Sequence, residues 1–195
     1  MNIDLIAHEI SESIRAKQRL LEAPALLLQV SQLANDCVAS LRQGGKIIFC
    51  GNGGSFADAQ HLAAEFTSRF LFDRPALASI ALGTNSSGMT AMGNDYGFEF
   101  VFAREIQALA RAEDIFIGIT TSGNSPNILN ATNVAQGIGL KTYIFTGEIG
   151  GKIKDRSECL HVPSKDTARI QECHILIGHI ICGIVEKEMF GKKTV

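Results

Sequence analysis

The chain has no basic tract, no low-complexity segment and no internal repeat, and these absences remove whole classes of function. Lysine and arginine total 18 against 20 acids, a net charge of −2, so no nucleic-acid-binding surface is expected. No apolar stretch reads as long and uncharged enough to span a bilayer, so no membrane partner is expected either. The opening residues Met1-Asn2-Ile3-Asp4 carry an acid where a signal peptide carries a basic region. The five cysteines, Cys37, Cys50, Cys159, Cys173 and Cys182, are odd in number and lack zinc-finger spacing. Set mostly among apolar residues, they read as reduced core side chains of a cytoplasmic protein. Neither G-x-G-x-x-G with a partner acid nor G-x-x-x-x-G-K-[ST] occurs.

What remains is a chain of 195 residues, 46% apolar, long enough to bury a substantial core as one domain, 1–195. Residues 1–42 read as two helices joined near Pro24, ahead of an α/β core over 43–195. Strand-like runs at 46–50, 79–82, 115–119, 142–145 and 159–162 alternate with helical stretches at 55–69, 86–92, 98–112, 125–137 and 167–189. Such alternation predicts a parallel sheet with helices on both faces and ligands at the carboxyl ends of the strands.

The stretch from Cys50 to Glu65, CGNGGSFADAQHLAAE, concentrates the chemistry. An apolar strand turns on glycines and enters a helix at Ser55. Glycine lets backbone approach a ligand, and a helix start offers free N–H groups to an anion such as phosphate. His61 and Glu65 follow four residues apart, on one helix face, as a candidate metal ligand and a candidate acid or base. A second strand-to-helix loop, Thr120-Thr121-Ser122-Gly123-Asn124-Ser125-Pro126, gathers hydroxyls at another helix start, with Ser125 as a good N-cap and Pro126 at the first helical position. An ordinary polar loop with a helix cap would use the same residues. Two such loops at strand ends of one sheet favour a phosphorylated ligand, held by Ser55, Thr120, Ser122 and Ser125, although a mononucleotide or dinucleotide stays open on physics alone.

The last helix begins polar at Arg169-Ile170-Gln171 and turns apolar around His179. A buried histidine is most often a satisfied core residue, but His61 and Glu65 ask for partners. Zinc takes histidine nitrogen and carboxylate oxygen in sets of about four, and Gln171 and His179 could complete one. Eight helical residues rise roughly 12 Å, a long span for two ligands of one ion, which points to a neighbouring subunit as the source of one of them. His8, His161 and His174 have no comparable setting.

On these motifs, GNGGSFADAQHLAAEF at 51–66, NDYGFEFVF at 94–102, TTSGNSPNIL at 120–129 and ARIQECHILIGHI at 168–180, nearly the whole chain resembles the phosphoheptose isomerases of the sugar isomerase (SIS) domain family. The resemblance implies a flavodoxin-like three-layer α/β/α sandwich with a five-stranded parallel sheet. It implies a homotetramer with active sites at subunit interfaces and one Zn2+ per subunit. The implied reaction converts sedoheptulose 7-phosphate, a phosphorylated seven-carbon sugar, to D-glycero-D-manno-heptose 7-phosphate through an enediol, the first step of ADP-heptose biosynthesis. By the family pattern Asn52, Gly53, Gly54, Asn94, Asp95, Thr120, Thr121, Ser122 and Ser125 contact substrate, with Ser55, Glu65 and Gln171 beside them. His61, Glu65, Gln171 and His179 match the zinc ligands, and Glu65 and His179 the base and acid.

Three positions depart from the pattern: Asn85 stands where relatives often carry Asp, Ala168 where some do, and Phe56 fills a position of variable size. Within the same fold, a non-catalytic relative binds the bacterial replication initiator, and other isomerases take other phosphosugars. The non-catalytic reading predicts loss of the metal and acid/base set, which is present here.

Overall fold

A computed structural model describes residues 2–191. Helices α1 (Ile3–Leu21) and α2 (Pro24–Arg42) lead into five strands, β1 (Ile47–Gly51), β2 (Ser79–Ala81), β3 (Ile115–Ile119), β4 (Lys141–Gly147) and β5 (Glu158–Val162). Between and after them come α3 (Gly54–Thr67), α4 (Ser86–Tyr96), α5 (Val101–Leu109), α6 (Pro126–Ile138) and α7 (Thr167–Phe190). The strands pair in the order β2-β1-β3-β4-β5, every pair parallel.

The strand sequences are apolar throughout because both sheet faces are covered. Side chains alternate between the faces. Ile47, Phe49, Ile117, Phe145 and Leu160 pack with α2, α3 and α7 on one side, and Ile48, Cys50, Phe116, Ile144 and Cys159 pack with α5 and α6 on the other. All five cysteines are buried and free, which accounts for their apolar settings. At the tip of β1 a side chain on Gly51 would run into the Ser55 carbonyl, and Gly53 turns the chain at φ 55°. Those two glycines let a strand become a helix in two residues.

Some boundaries move. The helix expected over 98–112 splits: Gly97, at φ 92°, ends α4, a 3-10 turn spans Phe98–Phe100, and α5 runs only to Leu109. Helix α4 extends to Tyr96, past the expected residue 92. Helix α7 corrects the reading that no stretch could span a bilayer, since its length and composition meet that criterion. It is a core helix here: Ile170, Cys173, Ile177, Ile181 and Val185 pack against the sheet, α2 and α3, and a helix enclosed on several sides is apolar on several sides. The N-terminal helices share this layer, but α1 buries only Ala16 and Leu20 and leaves Ile3, Leu5, Ile6, Ile10 and Ile14 more than half exposed.

Candidate active site

Helix α3 leaves β1 toward one face of the sheet, and α6 leaves the adjacent β3 toward the other. The gap between their starts is the switch point of a doubly wound sheet, where a ligand fits at the strand ends. Both glycine- and hydroxyl-rich loops open there. They are tied by a reciprocal amide pair: Asn52 Nδ2 donates to Asn127 Oδ1 at 2.9 Å, and Asn127 Nδ2 donates to Asn52 Oδ1 at 2.8 Å. No side chain caps α3, so its first amides remain available to an anion. Ser55 and Thr120 are buried, while Ser122 is exposed and receives the Asn124 N–H at 3.2 Å.

Ser125 occupies the N-cap position of α6, with Pro126 at the first turn, but its side chain does not cap the helix. Its hydroxyl instead meets Thr120 Oγ1 at 3.2 Å, so the two hydroxyls lie side by side within the loop. A cleft of about 250 Å3 runs past Thr121 and Ser122 to Glu148, Ser164, Lys165 and Thr167. Lys165 adds a cation near the loop that sequence spacing did not suggest.

His61, Glu65 and His179 converge. His61 Nε2 lies 2.9 Å from His179 Nε2 and 3.1 Å from Glu65 Oε1, and one ligating atom from each of the three lies within 4.8 Å of the others. Two imidazole nitrogens at that distance cannot both carry a proton, and a carboxylate beside them completes an N, N, O donor set. That set suits zinc, with room for a further ligand. Burial, then the neighbouring His61, holds the His179 imidazole below its ordinary 6.5, against the pull of Glu65.

Gln171 is not in this group. Its amide lies against Gly54, where a Cβ would sit 2.6 Å from Nε2, at the mouth of the glycine loop. Asn94 and Asp95 lie on α4, in the opposite layer from α7, hydrogen-bonded to each other at 2.9 Å. Asn85, read as a departure, caps α4 by accepting the Gly88 N–H at 3.0 Å, a role that Asn and Asp share. Ala168 donates its backbone N–H to the Asp166 carboxylate that caps α7.

Sequence spacing passed over one nearby group. Asp58 lies one turn before His61 and two before Glu65, on the same helix face, and one of its carboxylate oxygens is buried without a partner. Burial pushes its carboxyl up to about 6, against the pull of His61. The i, i+3, i+7 spacing was the available signal. Asn127 had none, because its partner Asn52 lies 75 residues away.

A family model for the SIS domain matches residues 10–147. A phosphoheptose isomerase of Burkholderia pseudomallei is 49% identical over 189 residues, 96% of either chain, and one of Aneurinibacillus thermoaerophilus is 49% identical over 98% of either chain. The chain belongs to the SIS domain family, among its phosphoheptose isomerases. Solved phosphoheptose isomerases share the family fold closely. The structure from Neisseria gonorrhoeae aligns with a TM-score of 0.88 at 43% identity, over 96% of this chain and 100% of that one. The structure from Francisella tularensis aligns with a TM-score of 0.90 at 38% identity, over 96% and 99%.

Proposed function

We propose that the protein interconverts sedoheptulose 7-phosphate and D-glycero-D-manno-heptose 7-phosphate. The observation that carries this reading is the meeting of two histidines at Glu65, on the helix that an anion-ready loop opens, in a chain 49% identical over nearly its full length to phosphoheptose isomerases. Aldose–ketose isomerisation needs one group to carry a proton between adjacent carbons and another to serve the oxygens. Glu65 takes a proton from C1 while His179 gives one to the C2 oxygen, which forms the enediol. The return half removes the proton from the C1 oxygen to His179 and delivers the Glu65 proton to C2. Atoms and charge then balance without an outside reactant.

His61, Glu65 and His179 would hold the zinc, one per subunit. When bound, the ion supplies polarisation of the sugar carbonyl. Glu65 and His179 must then be held loosely, because a carboxylate bound tightly to a cation is a weak base and an imidazole nitrogen on a cation has no proton to give. The phosphate is assigned to Ser55, Thr120, Ser122 and Ser125 with the helix-start amides. Asn52, Gly53, Gly54, Asn94, Asp95, Thr121 and Gln171 are assigned to the sugar. The proposal includes a homotetramer with shared sites, supported by the exposed apolar face of α1, and a cytoplasmic setting, supported by five buried free cysteines. The product would feed ADP-heptose synthesis.

The test is incubation of purified protein with sedoheptulose 7-phosphate, with zinc and after chelation, followed by NMR of the product. The expected result is zinc-dependent formation of the aldose, carrying deuterium at C2 in D2O to the extent that the Glu65 carboxyl exchanges its proton with solvent before returning it. No conversion of this substrate by zinc-loaded protein would overturn the reading.

A further inference from the structure

Just beyond α3, a buried ion pair does work that the isomerisation does not require of it directly. Arg74 Nε lies 3.1 Å from Glu186 Oε1, with side chains 2% and 1% exposed. Arg74 reaches the last carbonyls of α3: Nη2 donates to Glu65 O at 2.7 Å, and Nη1 donates to Phe66 O at 2.7 Å and Ser68 O at 3.2 Å. These are the carbonyls that a helix end leaves without partners, and a cation is favoured there. Glu186 sits on α7, seven residues past His179 and so on its face. Its two oxygens accept the Phe70 N–H at 2.9 Å and the Leu71 N–H at 2.7 Å. The pair therefore fastens the end of the helix bearing His61 and Glu65 to the helix bearing His179.

Many proteins bury an ion pair to hold a loop. Here the grip falls on the backbone of Glu65 itself and on Phe70, whose ring stacks on the His179 imidazole at 5.5 Å between centroids and 20° between planes. His179 has His61 edge-on at one side, with ring planes 67° apart, and Phe70 across the other. We propose that Phe70, seated by Arg74 and Glu186, is a positioning residue that fixes the plane of the His179 ring so that Nε2 faces His61 and Glu65. This rests on His179 serving the proposed reaction.

The test compares Phe70→Leu, which removes the ring and leaves the ion pair, with Phe70→Tyr, which keeps an aromatic face. In metal-free protein, the His179 ring protons should lie upfield under the Phe70 ring current. They should move downfield in Phe70→Leu and stay close to wild type in Phe70→Tyr. Zinc affinity, measured by chelator competition, should fall about 2- to 12-fold in Phe70→Leu, the value of one aromatic contact. Turnover should fall while KM holds, because an acid's alignment matters in the transition state. Phe70→Leu with wild-type His179 resonances, zinc affinity and kcat would overturn the proposal, as would Phe70→Tyr behaving like Phe70→Leu. Wild-type protein inactive on the heptose phosphate, but with the resonance and zinc shifts as stated, would sink the assigned reaction and leave the positioning role standing.

Discussion

Gly178→Ala tests whether the site depends on how closely α3 and α7 approach. Gly178 sits beside His179 and faces Leu62, the residue after His61. A Cβ at Gly178 would lie 2.5 Å from Leu62 Cδ1 and 3.0 Å from Leu62 Cγ. Ordinary carbon contact is ~3.5–4.0 Å, so roughly 1 Å must be found between the helices. Leu62 is fully buried and cannot swing into solvent. Overpacking of this kind costs ~1–3 kcal/mol, and alanine in a helix returns about 1 kcal/mol over glycine, so the net loss of stability is about 0–2 kcal/mol. The effect on the site is larger, because the helices that must part carry His61 and Glu65 on one side and His179 on the other. A displacement of ~1 Å costs about 10²-fold in rate. The assay is kcat, zinc affinity by chelator competition and the thermal midpoint, measured beside Gly137→Ala. Gly137 is exposed on α6 with open space around its Cβ, so that control should gain up to about 1 kcal/mol with unchanged turnover. Full turnover and zinc affinity in Gly178→Ala, with a midpoint raised like the control's, would show that Leu62 yields and the helices stay put.

Glu65→Gln, nearly isosteric, should lower isomerisation by at least about 10²-fold while circular dichroism and thermal midpoint hold; near-normal turnover would remove Glu65 as the base. Asn127→Ala leaves Asn52 unpaired and should raise KM by about 10-fold, the value of one or two hydrogen bonds, with kcat close to wild type; a pure kcat effect would place the amide pair in the chemistry. His174, fully buried, has its imidazole pushed down to about 4 by burial, from an ordinary 6.5. Its folded value lies below its unfolded one, so its contribution of about 3 kcal/mol is complete above pH 6.5 and lost as pH falls toward 4. Urea unfolding between pH 7 and pH 4 should show that slope in wild type and a flatter one in His174→Gln, and identical slopes would defeat the assignment.

The layered fold was legible because parallel strands are buried on both faces and leave short apolar runs between amphipathic helices. Local chemistry blurred the ends. The expected single helix over 98–112 was too long at both ends: Phe98–Phe100 forms a 3-10 turn, and the extended backbone of Ala110 ends α5 at Leu109, neither of which periodicity discloses. Ser125 has the identity and place of an N-cap, yet its hydroxyl turns to Thr120, because the loop folds the two side chains together. His61 and Glu65 could be paired from their spacing alone, since i and i+4 share a helix face wherever the helix goes. His179 could be nominated from composition, but its place beside them depends on how α7 packs. Phe70, Arg74 and Glu186 carry no local signal: Arg74 and Glu186 are 112 residues apart, and only the packing of α3 against α7 brings them together.

That packing also explains why Gln171 stands apart. Helices α3 and α7 run side by side in the same direction, with Gly54 against Gln171 near their starts and Leu62 against Gly178 further along. Each helix rises ~1.5 Å per residue, so two residues eight apart on α7 stay about as far apart as their counterparts on α3. As the side chains lie in this structure, the Gln171 amide rests against Gly54 while His179 meets His61 and Glu65, about two helical turns further along α7. The histidine pairs with the far end of the motif and the glutamine with its glycine mouth. The three side chains already gathered around one point are His61, Glu65 and His179. If Gln171 ligates the metal, its amide must turn away from Gly54 or serve a site on another copy. The apolar stripe of Ile3, Leu5, Ile6, Ile10 and Ile14, on a helix that packs against α7, is the surface on which such a copy would seat. Should the protein prove monomeric and active, Gln171 would belong to the sugar or its phosphate at the mouth of the loop, where its amide already lies.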